Sequence, residues 1–191
     1  MRIRWWSVAN VRYILRALVL GGLGLCAGCH ETYDLPFAPE PTLPTHVGGA
    51  SEAKMLALQN ILQQHGVRVI SMGQNYLVSI PSALIFHDES PAIKWSSYAL
   101  LNDVACYLQQ FRKISVHVNA YSNCFISKRR DQALTLSRAR AVGDYLWSQN
   151  IESRLIFTRG LGSDKPIVES AGLGDQSINS RIEITFRRAV G

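Results

Sequence analysis

The chain has 191 residues, 47% of them hydrophobic, with 20 Lys+Arg against 14 Asp+Glu and a formal net charge of +6. Arg2, Arg4, Arg12 and Arg16 precede residue 29 with no acidic neighbour, so the remainder balances at sixteen basic against fourteen acidic side chains. A body so close to neutral has no electrostatic footprint for nucleic acid, and the roughly 140 residues beyond position 50 suffice for one domain with an ordinary core.

Behind the four arginines, Ala17 to Leu25 is an apolar run too short to cross a bilayer as a helix, so residues 1–28 read as a signal peptide. It ends in Leu25-Cys26-Ala27-Gly28-Cys29. That ending resembles the lipobox of bacterial lipoproteins, in which two small residues precede a cysteine that is acylated and becomes the new N-terminus. Cys26 stands where the lipobox usually has Leu. The resemblance implies a lipidated Cys29 carrying acyl chains such as palmitate. Because His30 rather than Asp follows, it also implies the outer membrane, with the chain facing the periplasm. Each buried methylene contributes about 0.8 kcal/mol, so more than one acyl chain gives stable anchoring.

Residues 29–50 contain Pro36, Pro39, Pro41 and Pro44, then Gly48-Gly49, with almost no apolar periodicity. Such a tether reaches up to roughly 60 Å in polyproline conformation. The domain then occupies 51–191. Ser51 caps a helix to His65 with Met55, Leu58, Ile61 and Leu62 on one stripe, and Gly66 stops it. A hairpin follows: Val67–Met72 and Tyr76–Ile80 flank Gly73-Gln74-Asn75, and Pro81 closes the second strand. Leu101, Val104, Ala105, Leu108 and Phe111 keep the 3.6 period and predict a helix over 92–112 with Cys106 on its polar side. Ile114, Val116, Val118 and Ala120 alternate with polar residues, a strand buried on one face that leaves His117 on the other. A second long helix covers 130–149, followed by a strand at 155–159, a Gly/Ser-rich loop and a strand at 182–186. That order predicts an α/β (α+β) sandwich with helices on one face of a mixed sheet. On this plan Cys106 lies about 10 Å and Cys124 about 30 Å from the turn between helix and strand. A disulfide needs Cα atoms within roughly 7 Å, so both thiols are expected to be free.

Charge is uneven along the mature chain: residues 112–191 hold thirteen basic and seven acidic side chains, against three and seven in 29–111. The C-terminal half is therefore the side to search for an anionic or zwitterionic partner. On the second long helix, Leu134, Ala141, Val142 and Tyr145 share a stripe, and Arg138 falls among them. A guanidinium there must snorkel outward or find an anion.

Several motifs then line up: Ala120-Tyr121-Ser122-Asn123, Leu134-Thr135-Leu136-Ser137-Arg138-Ala139 with Val142 and Tyr145-Leu146, Arg159-Gly160-Leu161-Gly162, and Asn179-Ser180-Arg181-Ile182-Glu183-Ile184. Together they resemble the OmpA-like peptidoglycan-binding domain, with its G-x-T-D, L-S-x-x-R-A, G-x-G and N-R-R-V-E-I stretches. Upstream, Ile80-Pro81-Ser82 and Leu84-Ile85-Phe86 look like that family's first strand. The resemblance implies a βαβαβ core, here preceded by an extra helix and strand. It also implies a site in which an aspartate and an arginine clamp the two ends of a diaminopimelate side chain. Carried over residue by residue, that site comprises Asn123, Arg138, Tyr121, Ser122, Asn179 and Arg181.

Arginine's planar fork suits a carboxylate, but Asn123 stands in the aspartate position, Ile126 replaces a loop glycine and Asp131 an asparagine, and Ser180 replaces one arginine. Losing the charge at Asn123 costs roughly 1–3 kcal/mol, or about 10- to 100-fold in affinity.

Ser51-Glu52-Ala53-Lys54 matches S-x-x-K without its companion motifs, and Gly160-Leu161-Gly162 leads into Pro166 rather than a helix. No catalytic set, cofactor site or metal spacing emerges, so an enzyme is not expected. The tether, the extra helix and hairpin, and Asn123 together resemble the OmpA-like lipoproteins of the Dot/Icm type IVB secretion system's outer-membrane core. Two functions are therefore expected. One is a structural component of such a core complex, with other core proteins as partners and weak peptidoglycan binding. The alternative is a general anchor between outer membrane and cell wall.

Overall fold

The computed structural model describes residues 51–123, 127–151, 155–169 and 174–189; Cys29, Cys124 and Ile126 lie outside them. Ser51 accepts a hydrogen bond from Lys54 N–H at 3.1 Å and so caps α1, Glu52–Gln64. The S-x-x-K spacing is thus a helix cap. Gly66, at φ +81°, ends the helix and turns the chain into β1, Arg68–Met72. β1 pairs antiparallel with β2, Asn75–Pro81, across a two-residue loop in which Gly73 takes φ +62°, a conformation two-residue hairpins reserve for glycine.

Two expected boundaries move. Leu84, Ile85 and Phe86 do not extend a strand; Ser82–Ile85 is a single helical turn, α2, begun where Ser82 N–H donates to Ser180 O. The helix expected from residue 92 starts later, with a 3-10 turn at Trp95–Ser97 leading into α3, Tyr98–Gln109. Residues 91–94 are drawn into pairing instead: Phe86 bridges Ile93 and Lys94 N–H donates to Ile85 O. Tertiary hydrogen bonds there override helical propensity. Lys113 Nζ donates to Leu108 O at 2.8 Å and Phe111 O at 3.2 Å, closing the C-terminal end of α3, while burial pushes its pKa down to about 8.

β3 (Lys113–Tyr121), α4 (Lys128–Ser148), β4 (Ile156–Gly160) and β5 (Arg181–Arg188) complete the domain. Among the described residues the strands form one mixed sheet in the order β1-β2-β5-β3-β4, antiparallel except for β3 against β4. Alternation places three rungs on the helical face: Tyr76, Phe186 and Val116; Val78, Ile184 and Val118; Ile80, Ile182 and Ala120. Against them lie Leu101, Val104 and Leu108 of α3 and Ala139, Val142 and Leu146 of α4, all fully buried. The chain is a mixed α/β sandwich, as its periodicity predicts.

Tyr76, Phe111 and Phe186 cluster at one end of the sheet with ring centroids 4.5–5.1 Å apart. The opposite end is polar. There Pro81, Arg181 and Tyr121 stand in register, and the N-terminal half of α4 crosses β4. Gly160 makes that crossing close: a Cβ on it would stand 2.2 Å from Leu136 N, so only hydrogen fits. His117 lies on the other sheet face, stacked on Phe157 at 5.0 Å, and Cys106 is exposed and free.

Candidate functional site

The polar end is built where β3 leaves the sheet and β5 enters it. Leu161 N–H donates to Ala120 O and Ser122 N–H to Gly162 O, carrying the β3–β4 ladder past the strand ends. Gly162, at φ +52°, donates its N–H to Thr135 Oγ1 at 3.1 Å, which docks the loop onto α4. The two glycines of the G-x-G stretch are therefore needed for close approach and left-handed geometry. One turn further along α4 comes Arg138.

Arg138 is fully buried. Its Nε donates to Ser90 O at 2.9 Å and its Nη2 to His87 O at 3.2 Å, while Nη1 and Nη2 meet the two carboxylate oxygens of Asp175, the second at 2.7 Å. Its guanidinium also lies 5.0 Å from the Phe86 ring centroid. Asp175 is itself buried and accepts from Glu89 N–H at 3.0 Å. Glu89 holds φ +52°, a strained value for a side-chain-bearing residue, and the turn it makes aims two carbonyls at the guanidinium and one N–H at the carboxylate.

The other expected residues form a second group. Asn179 Oδ1 accepts from Ile167 N–H and Val168 N–H at 2.8 and 3.0 Å, and its Nδ2 donates to Val168 O at 2.8 Å and to Asn123 Oδ1 at 3.4 Å. The amide that replaces the aspartate thus faces another amide. Arg181 lies over the Tyr121 ring at 3.9 Å, donates from Nε to Glu183 Oε1 at 2.7 Å and from Nη1 to Asn179 O at 3.0 Å. Burial, reinforced by the Glu183 carboxylate, pushes the Tyr121 hydroxyl up to about 12, so it remains a neutral phenol at physiological pH. Ser122 is buried, and its Oγ finds no hydrogen-bond partner among the described residues.

The structure therefore brings Asn123 to Asn179 and Tyr121 to Arg181, and it gives Arg138 a partner not expected from sequence. The position of Arg138 on an apolar stripe left two outcomes, snorkelling outward or pairing with an anion, and its complete burial excludes the first. Only the fold selects Asp175. Among the described residues no group of three or more His, Cys, Asp or Glu is placed to hold a metal ion.

With this geometry described, comparison with known proteins adds a lineage. The model of the OmpA family matches residues 85–180. Probable lipoprotein YiaD of Escherichia coli is 27% identical over 140 residues, 73% of this chain and 64% of that protein. Peptidoglycan-binding protein ArfA of Mycobacterium tuberculosis is 31% identical over 101 residues, 53% of this chain and 31% of ArfA. The chain thus spans less than two thirds of either relative. The solved cell wall anchor of the T6SS from Pseudomonas aeruginosa superposes with a TM-score of 0.63 at 22% identity, covering 73% of this chain and 99% of that one.

Proposed function

Since the chain belongs to the OmpA family, we propose that it is an outer-membrane lipoprotein facing the periplasm, with a structural role and a weakened grip on peptidoglycan. More specifically, it serves as a component of an envelope-spanning type IV secretion core complex and has other core proteins as partners. Cys29 supplies the lipid anchor, residues 29–50 the tether and 51–191 the periplasmic domain.

One observation carries this reading. The arginine that would take the ligand's carboxylate is fully buried and already paired with Asp175, while the ammonium end has the neutral Asn123 in place of an anion. Neither end of a zwitterion meets a free, charged partner. The alternative, a general cell-wall anchor, draws on the 31% identity to ArfA, a protein named for peptidoglycan binding.

Sedimentation with purified diaminopimelate-type sacculi at fixed salt separates the two, with ArfA as the positive control. The chain is expected to pellet far less completely than ArfA; equal pelleting would move the anchor reading ahead. Purification from detergent-solubilised envelopes tests the assembly. Secretion-channel proteins are expected as companions, and peptidoglycan fragments alone would contradict the assignment.

The anchor has its own test. Cys29→Ser is expected to release the protein from the membrane fraction, because it removes the acyl chains that anchor it. Mass spectrometry of the N-terminal peptide should show acyl mass on Cys29, and a peptide beginning elsewhere would remove the lipoprotein claim.

A further inference from the structure

A single short segment answers both ends of the candidate site. Gly174 to Ser180 places Asp175 on Arg138 and Asn179 on Asn123. The segment is tied to itself: Ser180 Oγ donates to Gly174 O at 2.8 Å, Ser177 N–H to Gly174 O at 3.1 Å and Ser180 N–H to Ser177 O at 3.0 Å. Gly174 takes φ +89°, and Ser180 O accepts from Ser82 N–H at 2.9 Å. It is a preformed cap carrying one carboxylate and one amide.

The guanidinium is held in two separable ways. Carbonyls of His87 and Ser90 fix its plane from the loop after α2, whatever fills the rest. The edge formed by Nη1 and Nη2 is then filled by Asp175 in the two-pronged geometry that carboxylates adopt. Withdrawing Asp175 would leave a positioned cation with a vacant carboxylate edge. From this we infer that the 174–180 segment is an internal ligand: Asp175 occupies Arg138 in place of an external carboxylate, and the site opens to such a carboxylate only when the segment lifts. This rests on the reading that the domain grips peptidoglycan weakly, and it assigns part of that weakness to the cap.

A competitor built into the chain reduces apparent affinity by the fraction of molecules with the cap open. If that fraction is below a tenth, removing the cap strengthens binding by on the order of tenfold or more. The test uses the full mature lipoprotein in detergent, with sacculi as the probe. Asp175→Asn removes the competing charge while keeping the side chain's shape, and Ser180→Ala removes one of the two hydrogen bonds to Gly174 O and leaves the ion pair's groups in place. Asp175→Asn is expected to pellet at about tenfold lower sacculus concentration than wild type, and Ser180→Ala to gain less. Adding Arg138→Gln to Asp175→Asn should erase the gain, and because this leaves neither partner as an unpaired buried charge the double variant is expected to fold.

A folded Asp175→Asn that binds no better than wild type would overturn the inference, as would a gain that survives Arg138→Gln. Should Asp175→Asn fail to fold, Ser180→Ala decides alone, a gain supporting the cap and no gain overturning it. Wild type pelleting as fully as ArfA would sink the weak-grip reading itself, an outcome distinct from weak wild-type pelleting with no gain in the variants.

Discussion

Arg138→Ala is expected to lower the stability of the domain by about 3–5 kcal/mol, a range set by removal of one member of a buried, hydrogen-bonded ion pair. Both side chains are fully buried, so the Asp175 carboxylate would be left in a low-dielectric interior with Glu89 N–H as its remaining donor. His87 O and Ser90 O would also lose their donor, and the cation contact with Phe86 would go. Urea denaturation should show a fall in midpoint at unchanged slope, since the surface exposed on unfolding barely changes. Replacing both partners, Arg138→Met with Asp175→Leu, should cost less than Arg138→Ala alone, because an apolar pair of similar volume leaves no buried charge unpaired. A loss below about 1 kcal/mol for Arg138→Ala would show that water reaches the site and that the pair is not sealed.

Gly160→Ala is expected to be as damaging, for a steric reason. The added Cβ would stand 2.2 Å from Leu136 N, 2.6 Å from Leu136 Cα and 2.7 Å from Gln132 O, all backbone atoms of α4 that no rotamer change can move aside. Relief requires lifting α4 off β4, at a cost of about 3 kcal/mol or more. The same shift would pull Thr135 away from Gly162 N–H and drag Arg138 from its partners. Gly143 is the control. Its Cβ would meet the side-chain atom Thr158 Cγ2 at 2.7 Å, which can rotate, and alanine is the better helix former by roughly 1 kcal/mol. Thermal unfolding should place Gly160→Ala well below Gly143→Ala, and equal losses would mean that α4 tolerates a shift away from the sheet.

Much of the architecture was legible because periodicity reports burial directly. Val116, Val118 and Ala120 are fully buried as their alternation predicts, whereas Ile114, expected on the same face, is 62% exposed because the register shift between Lys113 and Val116 breaks the alternation; Leu101, Val104 and Leu108 lie on the core side of α3. The cap expected at Ser51 is present, while the helix expected from residue 130 begins at Lys128 because Ser127 Oγ accepts from Arg130 N–H, a cap the apolar stripe does not indicate. Errors arose where distant backbone supplied the hydrogen bonds. Residues 92–94 are expected in the helix over 92–112, and Leu84-Ile85-Phe86 as a strand from the family resemblance, yet Ile85 O, Ile93 and Ser180 O decide their conformation. No local pattern records partners that arrive from elsewhere in the chain.

The candidate site divides along the same line. The sequence by itself determined the mixed sandwich, the place of Asn123 at the end of β3 and of Arg138 on the inner face of α4. It also determined that a buried guanidinium there needs an anion, because helix and strand periods together with desolvation cost are properties of the local chain. Tertiary structure alone decided which anion. Asp175 is 37 positions from Arg138 and reaches it only because β5 enters the sheet beside β3, bringing the Gly174–Ser180 segment across the N-terminal half of α4. An ion pair over that separation leaves no periodic trace, since its energy depends on a distance that exists only once the sheet has closed.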